Sequence, residues 1–198
     1  MRIREDAAVR RAKIIEQALR IVGEFGYYGF TIQELASRCD ISNAGLLYYF
    51  GTKDKLLLAL LDEIEQRVEE RVAPLVTAAS SDCQSRQDSY EATVAVITAM
   101  VRHLLDNVTI TRFVAALQLE SIHPDHPAHG WFRDREDEAL AFMRQLTAPW
   151  TSEPVSVARQ LHALMQGLGQ QWLRAGQNFD LVGEWEKAFR AILPPPVT

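Results

Sequence analysis

Apolar residues recur at intervals of three and four along most of this chain, and that period is typical of amphipathic α-helices. The first such segment runs from about Glu5 to Phe25 and ends at Gly26. Thr31 and Glu34 have the spacing of a capping box, so they predict the start of a short second helix. The pattern as a whole predicts an all-α fold with about nine helices.

The third predicted helix is also short and begins after Ser42, whose hydroxyl suits an N-cap. A longer helix follows it and is expected to end near Pro74. Residues 79–88 are polar and predict a linker. Residues 94–98 have β-propensity but lie within a longer helical period, so we expect a helix there. Five further helices are predicted at about 89–107, 109–122, 130–147, 154–174 and 180–193.

The second and third helices, with the tight turn between them, have the pattern of a helix-turn-helix. Ala36 is small where the helices approach, and Ile41 and Leu46 are apolar and suited to fill the gap between them. Asp40 stands at the turn, where it tolerates a left-handed backbone better than most residues. Gly45 costs the helix about 1 kcal/mol relative to Ala, which close approach to DNA would explain. Such helix pairs also occur in all-α proteins that do not bind DNA.

The segments Thr31–Ala36, Ile41–Phe50 and Thr52–Leu57, together with Gly26–Thr31, resemble the N-terminal domain of the TetR family of transcriptional regulators. The resemblance covers about residues 8–60. It implies an N-terminal three-helix head that binds DNA, over residues 1–52. It also implies a helical body for ligand binding and dimerisation, over residues 53–198.

The resemblance implies that the third helix enters the major groove. The residues that we expect at the DNA are Thr31, Ser42, Asn43, Ala44, Gly45, Tyr48, Tyr49 and Lys53. An amide such as that of Asn43 pairs with adenine, and Lys53 at a helix start is suited to a phosphate partner. Many members have a tyrosine where this chain has Leu47, so either Tyr48 or Tyr49 is expected to contact phosphate.

The charge is divided unevenly along the chain. Residues 1–55 hold nine Lys and Arg against seven Asp and Glu, a balance of +2. The rest of the chain has a balance of −7, so the net charge of the whole chain is −5. This division fits a small basic head on an acidic body. Arg2 and Arg4 either reach the DNA or belong to a solvated tail.

The last two predicted helices carry an apolar stripe, and the resemblance implies that they form a four-helix bundle between two chains. The expected dimer residues are Leu161, Leu164, Met165, Leu168, Trp172, Trp185 and Phe189. The alternative is that this stripe packs only within its own chain.

The body between residues 89 and 150 is expected to hold a small-molecule site. The candidate ligand residues are Met100, His103, Leu104, Arg112, Phe113, Leu117, Trp131 and Met143. Few charges lie among them, which favours an apolar ligand. His103 and Arg112 are the polar anchors to test, and most of the others are expected to be simple core residues.

The segment from His123 to His129 contains three histidines and Asp125, types that bind divalent metal ions. Pro124 and Pro127 prevent these side chains from sharing one helical face, so we expect a solvated loop, with His126 among its residues, rather than a metal site. The chain has no glycine-rich phosphate loop and no catalytic serine or zinc motif, so no cofactor is predicted.

The sequence therefore favours a cytoplasmic, homodimeric regulator, not an enzyme. We expect a repressor that a small apolar molecule releases from a palindromic DNA operator. Two cysteines outside any redox or metal spacing and no secretory signal are the basis for the compartment. One alternative is a helical metal-dependent or small-molecule-processing enzyme with a vestigial helix-turn-helix. The other, an architectural DNA binder, is disfavoured by the acidic body.

Overall fold

The computed structural model describes residues 6–26, 28–29, 31–81 and 85–196, and these ranges contain nine α-helices, a short 3-10 turn at Ala148–Trp150 and no strand. The helices are α1 (Ala7–Phe25), α2 (Ile32–Arg38), α3 (Asn43–Phe50), α4 (Lys53–Ser81), α5 (Arg86–Asp106), α6 (Val108–Glu120), α7 (His129–Thr147), α8 (Pro154–Arg174) and α9 (Leu181–Ile192). The all-α prediction is confirmed, and residues 94–98 are helical. Within the described ranges no one helix has both the length and the apolar character needed to cross a membrane, although α5 and α6 pass when counted as a bent pair.

The expected end of the fourth helix near Pro74 is wrong, because α4 continues to Ser81 with the proline inside it. Proline has no N–H, so the carbonyl of Glu70 loses its helical partner. Pro74 and Glu70 both lie on the exposed side of α4. Water can therefore bind that carbonyl, and the helix continues past the proline.

The predicted linker at 79–88 is too long at both ends. Ser85 caps α5 by accepting a hydrogen bond from the Asp88 N–H at 3.0 Å. The first turn of α5 is polar because it precedes Tyr90, the first buried residue of this helix. Residues 82–84, including Cys83, lie outside the described residues.

The chain divides into two compact units. The first comprises the residues up to Glu65 together with Thr109–Trp131, so it contains α1, α2, α3, the start of α4 and most of α6. Its buried apolar residues come from each of these helices. They include Ile14, Ala18, Leu19, Val22, Leu35, Leu46, Phe50, Leu57, Leu61, Phe113 and Leu117.

The second unit comprises Gln66–Val108 and Phe132–Thr198. Its core is built mainly from α5, α8 and α9. The largest fully buried side chains in it are those of Trp185, Tyr90 and Phe189, each 0% exposed. The division into a DNA-binding head (1–52) and a ligand and dimer body (53–198) concerns function and stays a prediction.

Candidate functional site

Helix α2 begins at a side-chain cap. The Thr31 hydroxyl oxygen accepts a hydrogen bond from the Glu34 N–H at 3.1 Å. The Glu34 carboxylate accepts from Arg38 at 2.8 Å, one turn further along the helix. Thr31 is exposed, and its hydroxyl proton is not used by the cap, so this group can still donate to a phosphate.

The turn between α2 and α3 is fixed by a Schellman motif. The Ile41 N–H donates to the Ala36 carbonyl at 3.0 Å, and the Asp40 N–H donates to the Ser37 carbonyl at 3.2 Å. Asp40 has φ +52°, the left-handed conformation that glycine usually supplies at this position. The left-handed turn predicted at Asp40 is therefore confirmed.

Helix α3 has one buried side and one exposed side. Leu46 and Phe50 are buried at 0% and 5% exposure. The exposed row consists of Asn43, Ala44, Leu47 and Tyr48. The Ser42 hydroxyl caps the helix by accepting from the Gly45 N–H at 3.0 Å. We call these four exposed residues the recognition row, since they alone project outward along the first two turns of α3.

Gly45 is less accessible than the exposed members of the predicted DNA-contact set. It is half-buried, and a Cβ built on it would lie 3.2 Å from Ser42 Oγ and 3.7 Å from the Ile41 Cβ. The glycine is therefore explained by tight packing against the preceding turn. Close approach to DNA, the reason expected from sequence, is not needed for it.

The two tyrosines of α3 are placed differently. Tyr48 is 84% exposed, whereas Tyr49 is half-buried. Their rings contact edge to face with centroids 5.5 Å apart. Exposure therefore favours Tyr48 as the residue that is able to reach a phosphate.

Lys53 is the first residue of α4 and is half-buried. Partial burial lowers the pKa of its ammonium, and the neighbouring Asp54 partly offsets that effect. The helix start carries a partial positive charge, which also disfavours an ammonium there. An anion close to Lys53 would relieve both effects. This agrees with the sequence-based expectation that Lys53 has a phosphate as its partner.

Arg11 and Arg38 also belong to the surroundings of the helix-turn-helix, and sequence reasoning missed them. The Arg11 guanidinium lies 5.3 Å from the centroid of the Phe50 ring, and Arg38 lies 5.7 Å from that of Phe25. Cations commonly pack on aromatic faces in this way. Which arginine meets which ring depends on tertiary packing, so the sequence carried no signal for either pair.

Comparison with known proteins identifies this head. Residues 14–60 match the family model of bacterial regulatory proteins of the tetR family. The matched range contains α2 and α3 in full, with the cap and turn residues described above. Over these residues the chain is similar to the TetR family of regulators.

Relatives of known name agree with this assignment. The chain is 35% identical over 78 residues to the HTH-type transcriptional regulator BetI of Burkholderia cenocepacia (strain HI2424), a match that covers 39% of this chain and 40% of that one. The chain thus spans less than half the length of this relative.

Solved structures share the fold along nearly the whole chain. A TetR-family regulator from Syntrophomonas wolfei superimposes with a TM-score of 0.75 at 14% identity, covering 94% of this chain and 96% of that one. NalD of Pseudomonas aeruginosa, the secondary repressor of the MexAB-OprM multidrug efflux pump, gives a TM-score of 0.66 at 19% identity, with 95% of each chain covered. At these identities the likeness shows the TetR fold alone.

The predicted ligand residues are divided between the two units. Arg112, Phe113, Leu117 and Trp131 belong to the first, and Met100, His103, Leu104 and Met143 to the second. The structure does not bring these eight together within either unit. Three of them, Phe113, Leu117 and Met143, are buried core residues.

The polar candidates also differ in placement. Arg112 is exposed. His103 is half-buried, with Nδ1 3.2 Å from Asp106 Oδ2, and Asp106 also forms an ion pair with Arg71 at 2.6 Å. Burial lowers the pKa of His103, while Asp106 acts in the opposite direction. Trp131 donates from Nε1 to Asp62 Oδ1 at 2.7 Å, so its indole N–H is engaged within the first unit.

A groove in the second unit has a volume of about 330 Å³, and none of the predicted ligand residues lines it. Its apolar floor includes Val94 and Ala99, and its rim carries charged side chains. Arg190 binds Glu91 through two hydrogen bonds of 3.0 and 2.7 Å, which lower the pKa of Glu91. The rim charges are therefore largely neutralised by each other.

The predicted dimer residues need correction. Leu161, Trp172, Trp185 and Phe189 are 0–6% exposed and pack in the core of the second unit. They cannot contact a second chain unless that core opens. Leu164, Met165 and Leu168 are only partly buried. Sequence periodicity identified the apolar side of α8 and α9 but did not distinguish a core from an interface.

The histidine loop is held by its own backbone. His126 is buried, and its Nδ1 accepts from the Ala128 N–H at 3.2 Å. His129 Nδ1 lies 2.7 Å from the Ser121 carbonyl oxygen, and His123 Nδ1 accepts from the Asp125 N–H at 3.3 Å. In the described ranges, no three His, Cys, Asp or Glu side chains are grouped as a metal ion would require.

Proposed function

We propose that this protein is a DNA-binding transcriptional regulator that acts as a dimeric repressor and leaves its operator when a small molecule binds. The observation that carries the proposal is the exposed recognition row on a capped α3, inside the segment that matches the TetR family. The major groove of DNA is wide enough to admit one α-helix. That NalD, a protein of the same fold, is a repressor supports the sign of regulation proposed here.

Five polar residues of the head have a role in this proposal. The Asn43 amide hydrogen-bonds to an adenine edge, and the small Ala44 lets the helix lie close to the bases. Tyr48 and the capping hydroxyls of Thr31 and Ser42 bind phosphates, which position the helix without reading sequence. Lys53 neutralises one phosphate, so its loss should weaken binding to all sequences alike and reduce the salt dependence by about one ion.

The first test is selection of binding sites from fragmented genomic DNA. We expect wild-type protein to enrich a palindrome, because two heads of a dimer meet major grooves about 34–36 Å apart. Asn43→Ala should lose that enrichment. Asn178→Ala is the matched control, since Asn178 is also exposed but lies in the turn between α8 and α9.

Folding must be checked alongside binding, by circular dichroism and thermal melting of each variant. Failure of correctly folded wild-type protein to enrich any sequence, before and after refolding from denaturant, would contradict the regulator proposal. Loss of enrichment in Asn178→Ala would show that the assay reports stability rather than base contact.

The dimer interface is proposed on the exposed side of α8. Gln160 and Ala163 are exposed there, and Gly167 has no atom within 4 Å of a Cβ built on it. Small residues on an uncovered helix side allow a second helix to approach closely. Leu164 and Met165, partly buried in this chain, would then become fully buried in the dimer.

Gly167→Arg tests this interface, with Gly130→Arg on α7 as a control that also has open space around its Cβ. Sedimentation velocity should give a monomer for Gly167→Arg and a dimer for wild type and Gly130→Arg. A Gly167→Arg protein that remains dimeric would move the interface to another surface.

Ligand release is proposed as a population shift between a form that binds DNA and a form that does not. A small molecule shifts that equilibrium only by its difference in affinity for the two forms, tenfold for about 1.4 kcal/mol. Molecules extracted from purified protein and identified by mass spectrometry are the probes. When they are added to the protein–DNA complex, we expect release, and a complex unaffected by each of them would contradict this part of the proposal.

A further inference from the structure

The recognition row contains an exposed leucine that the phosphate-binding and adenine-reading roles do not use. Leu47 is 39% exposed, whereas its neighbour Leu46 is 0% exposed. Its own fold therefore leaves a substantial part of the apolar Leu47 side chain open to solvent. Leu47 lies four residues after Asn43 and three after Ala44, so the three side chains share one side of α3.

The row therefore combines one amide with a continuous apolar surface. In the major groove, thymine is the base that presents a methyl group, and apolar side chains contact it there. Residues four apart on a helix are about 6 Å apart along its axis, and successive base pairs are about 3.4 Å apart. A helix that follows the groove thus places Leu47 within about two base pairs of the base that Asn43 contacts.

We infer that Leu47 is a specificity-determining residue that reads the C5-methyl group of a thymine within two base pairs of the Asn43 contact. The inference rests on the proposed function, and it adds the chemistry of the site: an adenine edge next to a thymine methyl. Asn43 supplies the hydrogen bonds. Leu47, together with the smaller Ala44, supplies the apolar surface that contacts the methyl group, and this surface has no methyl group to contact when the base is cytosine or uracil.

The test uses the palindrome that the wild-type protein selects and replaces its thymines by uracil, one symmetric pair at a time. Uracil lacks only the methyl group, so base pairing and charge are unchanged. At one position we expect about fourfold weaker binding per half-site, the effect of one buried methyl group. Leu47→Ala should bind thymine and uracil equally at that position.

Two further variants keep the test selective. Leu47→Met retains an apolar side chain of similar volume and should keep most of the uracil penalty. Leu119→Ala removes a leucine of α6 that is 55% exposed, and this variant should keep the whole uracil penalty. Circular dichroism and melting of each variant exclude loss of fold as the cause.

The outcomes separate this inference from the proposed function. Protein that selects no DNA site contradicts the proposed function. Protein that selects a site but shows no uracil penalty at any thymine overturns the inference and leaves the regulator proposal intact. A uracil penalty that persists unchanged in Leu47→Ala also overturns the inference. A fourth variant, Ala44→Ser, covers the remaining case: if the penalty is lost in this variant but not in Leu47→Ala, the methyl contact belongs to Ala44.

Discussion

Asp40 occupies the left-handed position at the end of α2, with φ +52°. This conformation is costly for most L residues and least so for glycine, asparagine and aspartate. Asp40→Val should lower the free energy of unfolding by about 1–2 kcal/mol, because a β-branched residue is strained at positive φ. Asp40→Gly should leave it nearly unchanged. Urea unfolding of both variants checks this, and equal stabilities would show that the turn adjusts its backbone.

His162 offers a second prediction at the residue scale. It is buried on α8, with Nδ1 3.9 Å from Glu136 Oε1 and Nε2 3.4 Å from Gln166 Nε2. Burial lowers the pKa of His162, and Glu136 offsets only part of this. The unfolded chain therefore takes up a proton before the folded chain does as the pH falls. Stability is fully present above the unfolded pKa of about 6.5 and is lost as the pH falls from there toward the lower folded pKa.

Thermal melting between pH 7.5 and 5.5 tests this sign. His162→Gln should flatten the decrease in melting temperature, because the variant has no proton to take up at this position. The remaining slope has the contribution of His103, whose pKa burial also lowers. A steeper slope in His162→Gln would contradict the assigned direction.

At the residue scale the sequence predicted local chemistry well and tertiary contacts poorly. Thr31 and Ser42 cap their helices as their types and spacing indicate, and Asp40 adopts the expected turn conformation. The hydrogen bonds of these caps and of the turn span five residues or fewer, so the local sequence contains them. The contact of Arg11 with the Phe50 ring depends on which helices pack together, and no local pattern encodes it.

At the scale of the helix, Pro74 shows how a strong local signal is overridden. The residue interrupts the hydrogen-bond ladder of α4 without ending the helix. Pro74→Ala restores an N–H for the Glu70 carbonyl and should raise the free energy of unfolding by about 1–3 kcal/mol. Pro74→Gly restores the same N–H but has a lower helix propensity, so its free energy of unfolding should lie between those of wild type and Pro74→Ala. Chemical denaturation measures both, and a destabilised Pro74→Ala would indicate that the proline ring packs in a way that alanine cannot replace.

Helix boundaries elsewhere were predicted to within a few residues, because most helices here have both a periodic apolar side and a local stop signal. The exception at the start of α5 is instructive. Its first turn is entirely polar, so composition alone resembles a linker, and Ser85 is recognisable as a cap only when the helix beyond it is known. Amphipathic periodicity detects the buried turns of a helix and not its exposed ends.

At the scale of the whole molecule, the C-terminal end of the chain is tied to α5 by hydrogen bonds that span about a hundred residues. The Tyr90 hydroxyl donates to the Leu193 carbonyl at 2.6 Å, and Trp185 Nε1 donates to Thr98 Oγ1 at 3.0 Å. Burial raises the pKa of Tyr90, so its phenol stays protonated as a donor. These bonds fix α9 against α5 inside the second unit.

Tyr90→Phe keeps the ring and leaves the buried Leu193 carbonyl without this donor. We expect the free energy of unfolding to fall by about 1–3 kcal/mol, the cost of an unsatisfied buried group. Tyr48→Phe removes the hydroxyl of an exposed tyrosine and should change stability little. Calorimetry of both variants measures the difference, and equal melting temperatures would mean that water replaces the Tyr90 hydroxyl.

The sequence by itself determined the helices, their caps, the helix-turn-helix and the resemblance of residues 14–60 to the TetR family, because each depends on residue types at short, fixed spacings. Only the tertiary structure decided which apolar residues are core. It moved Leu161, Trp172, Trp185 and Phe189 from a predicted interface into the core, and it divided the predicted ligand residues between two units. A helix with one apolar side is obliged to bury that side, but its sequence does not specify against what. That choice depends on which helices the fold brings together, and it exists only once the chain has folded.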